Sequence, residues 1–236
     1  MSVTKSKRYQ DMTEKVDVSK VYKLEDAVKA LKKLASANFE EAIECHVRLN
    51  IDPTQADQQF RDSLVLPNGT GRETKFVGFA RGEKVREAED AGADEVGAED
   101  LIEKIRDGWL EFDQAVATPD LMGEVSVLGP FLGPRGLMPN NKAGTVTFDV
   151  ADAVEKLKKG QIELRNDKYG IIHTVIGTDK MTDGKLTENL IAVLKFIINN
   201  RPAGVKGRDQ YVKSIALSPS MGPSVRIEPS EARELL

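Results

Sequence analysis

Two short polar turns carry the residues with most to offer a ligand. Asp167-Lys168, with Gly170 after them, sets a carboxylate acceptor beside an ammonium where a glycine permits close backbone approach. Ser218, Ser220, Met221 and Gly222 bring hydroxyls, backbone amides and a flat apolar side chain into one turn. Phe39, just ahead of an alternating apolar stretch, adds an aromatic surface. RNA recognition uses these elements: contacts to 2′-hydroxyls and phosphates, close backbone, and apolar stacking. The same residues also suit two ordinary hairpin turns and a core phenylalanine, and composition alone does not choose between these readings.

The inventory for catalysis is thin. His46 and His173 are the only histidines, each within an extended stretch where a hydrogen-bonded structural role is expected. No nucleophile–base set, zinc spacing, Walker loop or G-x-S-x-G occurs, so neither catalytic residues nor metal ligands are expected. The single cysteine, Cys45, alternates with Ile43 and Val47 as a core residue would, and forms no internal disulfide. A nucleotide-using enzyme would need a phosphate loop at a strand–helix junction. Phe79-Ala80-Arg81-Gly82 is a poor one, and no cofactor is expected. A pure protein-interaction scaffold is the remaining alternative.

The elements that must position these turns follow from periodicity. Leu24, Ala27, Val28, Leu31 and Leu34 recur at helical spacing. Ile43 to Ile51 alternates apolar with polar, a half-buried strand, and Ser63–Leu66 is a second strand ending at the turn cluster Pro67–Gly71. Between 68 and 159 short apolar strands alternate with helices of about ten residues, the signature of a small parallel α/β domain. Beyond Gly160 come strands at 162–165 and 171–176, a strong helix at 186–199 and a break at Pro202, Gly204 and Gly207. Strands at 211–217 and 225–227 and a frayed acidic tail from Pro229 complete the chain. Lys5, Lys7, Arg8 and Lys15 form a basic N-terminal arm, either a plain solvated segment or one that faces RNA. Neither flank has enough apolar surface for its own core. Residues 1–67 and 160–236 are therefore expected to form one discontinuous domain, with 68–159 inserted through two neighbouring joins.

Charge follows the same division. The chain is acidic, at net charge −4 and a pI near 5.5, unlike a simple basic RNA-binding protein. Residues 68–159 hold 12 basic and 18 acidic side chains, whereas the flanks hold 22 and 20. A polyanion is expected to meet the flanks. No apolar run is long enough to span a membrane, and the polar, basic N-terminus does not read as a secretory signal, so a cytoplasmic location is expected.

One stretch is far more specific than any of these patterns. Gly129–Val146 holds four glycines and three prolines among apolar Phe131, Leu132, Leu137 and Met138, and is expected to be a packed loop without regular helix or strand. Its core, Leu132-Gly-Pro-Arg-Gly-Leu-Met-Pro-Asn140 with Lys142 and Gly144-Thr-Val-Thr147, resembles the signature of the bacterial ribosomal protein L-one family. Further landmarks lie in order along the chain: Lys7-Arg8, Ile51-Asp52, Asp57-Gln58 with Arg61, and Val65-Leu66-Pro67 with Gly69-Thr70-Gly71-Arg72. Arg165–Lys168 with Gly170–His173, and Ser220-Met221-Gly222, complete the series.

The resemblance implies an α/β fold of two domains: a discontinuous split β-α-β RNA-binding domain carrying an inserted Rossmann-like three-layer α/β domain. It implies a constituent of the large ribosomal subunit, monomeric off the ribosome. The implied partners are the stalk of the large-subunit rRNA, exit-site tRNA whose release it assists, and the leader of its own operon mRNA, whose translation it represses. Carried over, the RNA face is Phe39, Asp167, Lys168, Gly170, Ser218, Ser220, Met221 and Gly222, and the Gly/Pro signature belongs to the inserted domain. The sequence departs from the family pattern at Ala42, where a hydroxyl residue is usual, at Asn141 for proline, and through Gln59–Asp62. Pro219 and Pro223 also stiffen the Ser-Met-Gly turn.

Overall fold

The computed structural model describes residues 6–205 and 210–234. The chain divides into two compact units, one from Met1–Arg72 with Ile162–Leu236 and one from Glu73–Gln161. These joins lie slightly downstream of 67 and 160, and one side chain accounts for the first. The buried Asn189 accepts from the Asn68 amide at 3.0 Å and donates to Gly69 O and Ile176 O, both at 2.8 Å. The Pro67–Gly71 turn is thereby held within the outer unit.

The outer unit opens with α1 (Lys7–Lys15), whose first turn is capped by Ser6 accepting from the Tyr9 amide. Met12 is buried on it, so the basic N-terminal stretch is a docked helix rather than an arm; Lys5 lies outside the described residues. β1 (Val21–Tyr22) leads into α2 (Leu24–Leu34), with Glu25 and Asp26 in its first turn and Lys32 and Lys33 in its last, as the helix dipole favours. β2 (Ala42–Leu49) and β3 (Arg61–Val65) follow.

The inserted unit comprises β4 (Phe76–Phe79), α3 (Glu83–Asp90), β5 (Glu95–Gly97), α4 (Glu99–Arg106) and β6 (Gln114–Ala117), then α5 (Met122–Val125), α6 (Gly129–Leu132) and α7 (Val150–Lys158). β4 lies between β5 and β6, parallel to both. Alternate strand residues feed two cores. Phe76 and Val116 pack with Val150, Val154 and Leu157, and Val77, Phe79, Ala115 and Ala117 pack with Leu101, Ile105, Val125 and Leu132. Helices therefore cover both faces, a three-layer α/β arrangement.

The Gly/Pro stretch packs onto this unit but is not wholly irregular. Gly129–Leu132 forms a single helical turn, because Pro130 stands in the first turn where its missing N–H costs nothing. Leu132 is buried there, and Phe131 stays exposed.

The chain returns to the outer unit with β7 (Gln161–Arg165), β8 (Ile171–Thr178), α8 (Asp183–Asn199), β9 (Val212–Pro219), β10 (Val225–Ile227) and α9 (Pro229–Glu234). The expected frayed tail is thus a helix with Ala232 buried in the core. Residues 206–209, which include Gly207 of the expected break, and the last two residues lie outside the described residues. The main sheet runs β1-β10-β9-β2-β8, and β3 pairs with β7 apart from it. Ile43, Cys45, Val47 and Leu49 of β2 face a core shared with α2 and α8. Glu44, His46 and Arg48 point to the other side of the sheet, where they are half-buried or exposed. No helix of the described residues is long and apolar enough to cross a membrane.

Candidate nucleic-acid interface

The eight candidate residues fall into two clusters at opposite ends of β2, about 24 Å apart for eight extended residues. Ser220, Met221, Gly222 and the loop bearing Phe39 lie at the Ala42 end. Asp167, Lys168 and Gly170 lie at the Leu49 end, where the Leu49 amide donates to Gly170 O at 2.8 Å. Ser218 stands one step in from the first cluster, opposite Glu44 on β2.

A buried carboxylate organises the Ala42 end. Glu41 is fully buried, and its oxygens accept the amides of Ser36 at 2.8 Å, Ala37 at 2.7 Å and Met221 at 2.9 Å. It thereby ties the Phe39 loop to the Met221 turn. Three charge-assisted hydrogen bonds offset the desolvation of the carboxylate. The turn is further fixed by Arg8, which donates to Met221 O, and by Ser220, whose amide donates to Ala42 O while its Oγ accepts from the Ala42 amide, each at 3.0 Å. Ser220 thus engages both backbone groups of Ala42, the position that lacks the family's usual hydroxyl. A Cβ on Gly222 would come within 2.5 Å of Pro219 and 3.1 Å of Leu34 O, so no side chain fits there. Met221 is 56% exposed and Phe39 55%, both held on rigid backbone, which rules out a core role for Phe39.

The Leu49 end is built by Asp167. Its Oδ1 accepts the amides of Tyr169 and Ile171, both at 2.8 Å, which shapes the turn. Desolvation is the largest single influence on its carboxyl and pushes the pKa up. The two amide bonds and His173 outweigh it and hold the carboxyl below the usual value. Gly170 takes φ +74°, and a Cβ there would sit 3.1 Å from Ile51. Lys168 and Tyr169 are exposed, with the ammonium 5.1 Å from the ring centre.

Between the ends, His46 and His173 meet directly opposite each other on β2 and β8. Their Nδ1 atoms are 2.9 Å apart, His46 Nε2 is 2.9 Å from Ser218 Oγ, and His173 Nε2 is 3.4 Å from Asp167 Oδ2. The histidines are hydrogen-bonded, as their strand positions led one to expect, but on the open face rather than in the core. Burial, and then the neighbouring His173, hold His46 below the ordinary histidine value against the pull of Glu44.

Glu41 and the linkage through the two histidines are absent from the sequence reading, where Arg8 figures only in the basic N-terminal arm and as a family landmark. Glu41 had a signal: it falls in phase with the buried Ile43, Cys45, Val47 and Leu49, where a carboxylate needs a reason. The contact of Arg8 with the Met221 turn and the histidine pairing had none, since both join elements distant in sequence.

Elsewhere the chemistry is sparse. Burial pushes the Cys45 thiol up to about 12, so it carries no thiolate near neutral pH. No group of three or more metal-binding side chains occurs among the described residues. At the strand–helix junction of the inserted unit, Arg81 is paired with Glu99 and Glu124, carboxylates that would repel a nucleotide phosphate.

Residues 31–223 match the profile of the Ribosomal protein L1p/L10e family. The large ribosomal subunit protein uL1 of Rubrobacter xylanophilus is 51% identical over 229 residues, which is 97% of this chain and 99% of that protein. The protein of the same name from Lactobacillus johnsonii is 51% identical over 223 residues, 94% of this chain and 96% of that one.

Proposed function

The chain belongs to the Ribosomal protein L1p/L10e family, and from that premise we propose that it is a constituent of the large ribosomal subunit that grips the stalk of the large-subunit rRNA with its outer unit. It is a ribosomal protein, not an enzyme. On the ribosome it assists deacylated tRNA in leaving the exit site, and off the ribosome it represses translation of its own operon mRNA through a leader that imitates the rRNA site.

The observation that carries the RNA reading is the open face of the main sheet, with a rigid turn at each end. Phe39 and Met221 offer apolar surfaces for a base or ribose at one end, and Lys168 offers a cation for a phosphate at the other. Ser218 adds a hydroxyl that pairs with a 2′-hydroxyl. Few cations share this face, so most of the affinity comes from fitted contacts rather than counterion release.

The test is binding of the purified protein to an rRNA stalk hairpin across a salt series, with Lys168→Ala and Met221→Ala alongside. Tight binding, weakened about fivefold or more by either substitution, is the expected result. The salt slope is expected to be modest; one equivalent to about eight or more phosphate contacts would count against fitted contacts. Binding no tighter than to unrelated RNA would remove the assignment of the face.

A further inference from the structure

The linkage Ser218–His46–His173–Asp167 crosses the open face from one candidate cluster to the other, and its hydrogen bonds admit a single direction. The Asp167 carboxylate, held ionised, only accepts, so His173 Nε2 carries a hydrogen. A neutral His173 then has a bare Nδ1, and the 2.9 Å contact requires the hydrogen on His46 Nδ1. This leaves His46 Nε2 bare, and the Ser218 hydroxyl must donate to it at 2.9 Å. In this state Ser218 presents only lone pairs outward, which repel a phosphate oxygen.

One proton reverses that polarity. The bare nitrogen outside the His–His contact is His46 Nε2, so a proton from solvent goes there. His46 then donates to Ser218 and to His173, and the Ser218 hydrogen turns outward. A second proton, on His173 Nδ1, would face the first across 2.9 Å and break the contact, so the intact pair accepts one only. The surroundings suit a poised charge. On β2, Glu44 Oε2 lies 3.8 Å from His46 Nε2, and Arg48 follows two residues along the same face. The β7–β8 turn supplies Asp167 and Lys168, while β9 supplies Ser214, Ala216 and Ser218, none of them charged.

We infer that the middle of this face is a seat for one RNA phosphodiester, and that filling it is coupled to uptake of one proton at His46 Nε2. The imidazolium and the outward Ser218 hydroxyl together form the seat, and the neutral pair disfavours it. This rests on the reading of the open face as the RNA site. Burial and His173 oppose the charge in the free protein, and a phosphate offsets that opposition. The pKa in the complex therefore lies above that of the free protein. Affinity rises as pH falls through the complex value and levels off below the free one.

The experiment is calorimetric and equilibrium binding of a stalk rRNA hairpin between pH 8 and pH 5.5, in paired buffers of different ionisation enthalpy. The proteins are wild type, His46→Gln, Ser218→Ala, Lys168→Ala and Met221→Ala. Wild type is expected to gain about tenfold in affinity on acidification and to take up close to one proton at most. His46→Gln is expected to bind with little pH dependence and no protein-linked uptake, and Ser218→Ala to flatten the profile in the same direction. Wild-type binding that is independent of pH, or uptake that persists in His46→Gln, overturns the inference. If Lys168→Ala and Met221→Ala weaken binding while the pH profile is flat, the proton coupling alone fails. If wild type prefers no stalk RNA at any pH, the face assignment fails and the coupling with it.

Discussion

In the inserted unit, β4, β5 and β6 are covered on both faces, by α3 and α7 on one side and α4 to α6 on the other. In the outer unit, β2 buries Ile43, Cys45, Val47 and Leu49 against α2 and α8 and leaves Glu44, His46 and Arg48 on an open side. The stretch that best identifies the family, Gly129–Val146, belongs to the covered unit, where Leu132 is fully buried and Leu137 and Met138 pack against the same core. The residues proposed to hold RNA belong to the open one. A distinctive motif and a binding surface are therefore different things in this chain. A covered unit requires particular residues in order to fold, whereas an open face can use particular residues to recognise.

Substitutions in the two units should separate folding from binding. Leu132→Ala removes a fully buried side chain from the inserted core and is expected to cost about 3–5 kcal/mol, read by denaturant unfolding. RNA affinity under native conditions should stay within about twofold of wild type. A comparable loss of RNA binding in the folded variant would break the contrast between the units.

Glu41→Ala strips three amides of their shared acceptor and is expected to cost about 2–4 kcal/mol in the outer unit. Unlike Leu132→Ala, it should also weaken stalk RNA binding at least tenfold, because the Phe39 loop and the Met221 turn lose their common anchor. Unchanged RNA affinity would show that these two elements need no mutual positioning.

The smallest effect concerns Asp167. Its folded pKa lies below the ordinary value near 3.8, so its contribution to stability is present above that value and disappears as pH falls through the folded one. A carboxyl NMR titration should give a midpoint below 3.8 for Asp167 in the wild type. An upward move in Ile171→Pro, which deletes one of the two donated amides, would sharpen the assignment of cause. A midpoint at or above the ordinary value would remove the carboxylate from its role as turn builder and as terminus of the histidine linkage.

Much was legible without coordinates, because it depends on neighbours in sequence. The spacing of Leu24, Ala27, Val28, Leu31 and Leu34 encodes α2, and the alternation from Ile43 encodes β2, since each pattern follows from one backbone period. Asp167, Gly170 and Gly222 were legible as turn residues for the same reason. The N-terminal helix and α9 were misread as an arm and a tail. Each is a short, charged segment held by few apolar contacts, Met12 in one and Ala232 in the other, and local pattern gives such segments little weight.

What the sequence determined by itself was the period of each main element, and family membership through a run of ordered landmarks. What only the tertiary structure decided was which polar groups meet. Antiparallel pairing of β2 with β8 and β9 brings His46 against His173 and Ser218, residues 127 and 172 positions away. Closure of the same sheet brings Glu41 to the Met221 amide, 180 positions away. Strand register sets such contacts, and register is fixed by burying one face of the whole sheet at once, so no window of sequence contains it.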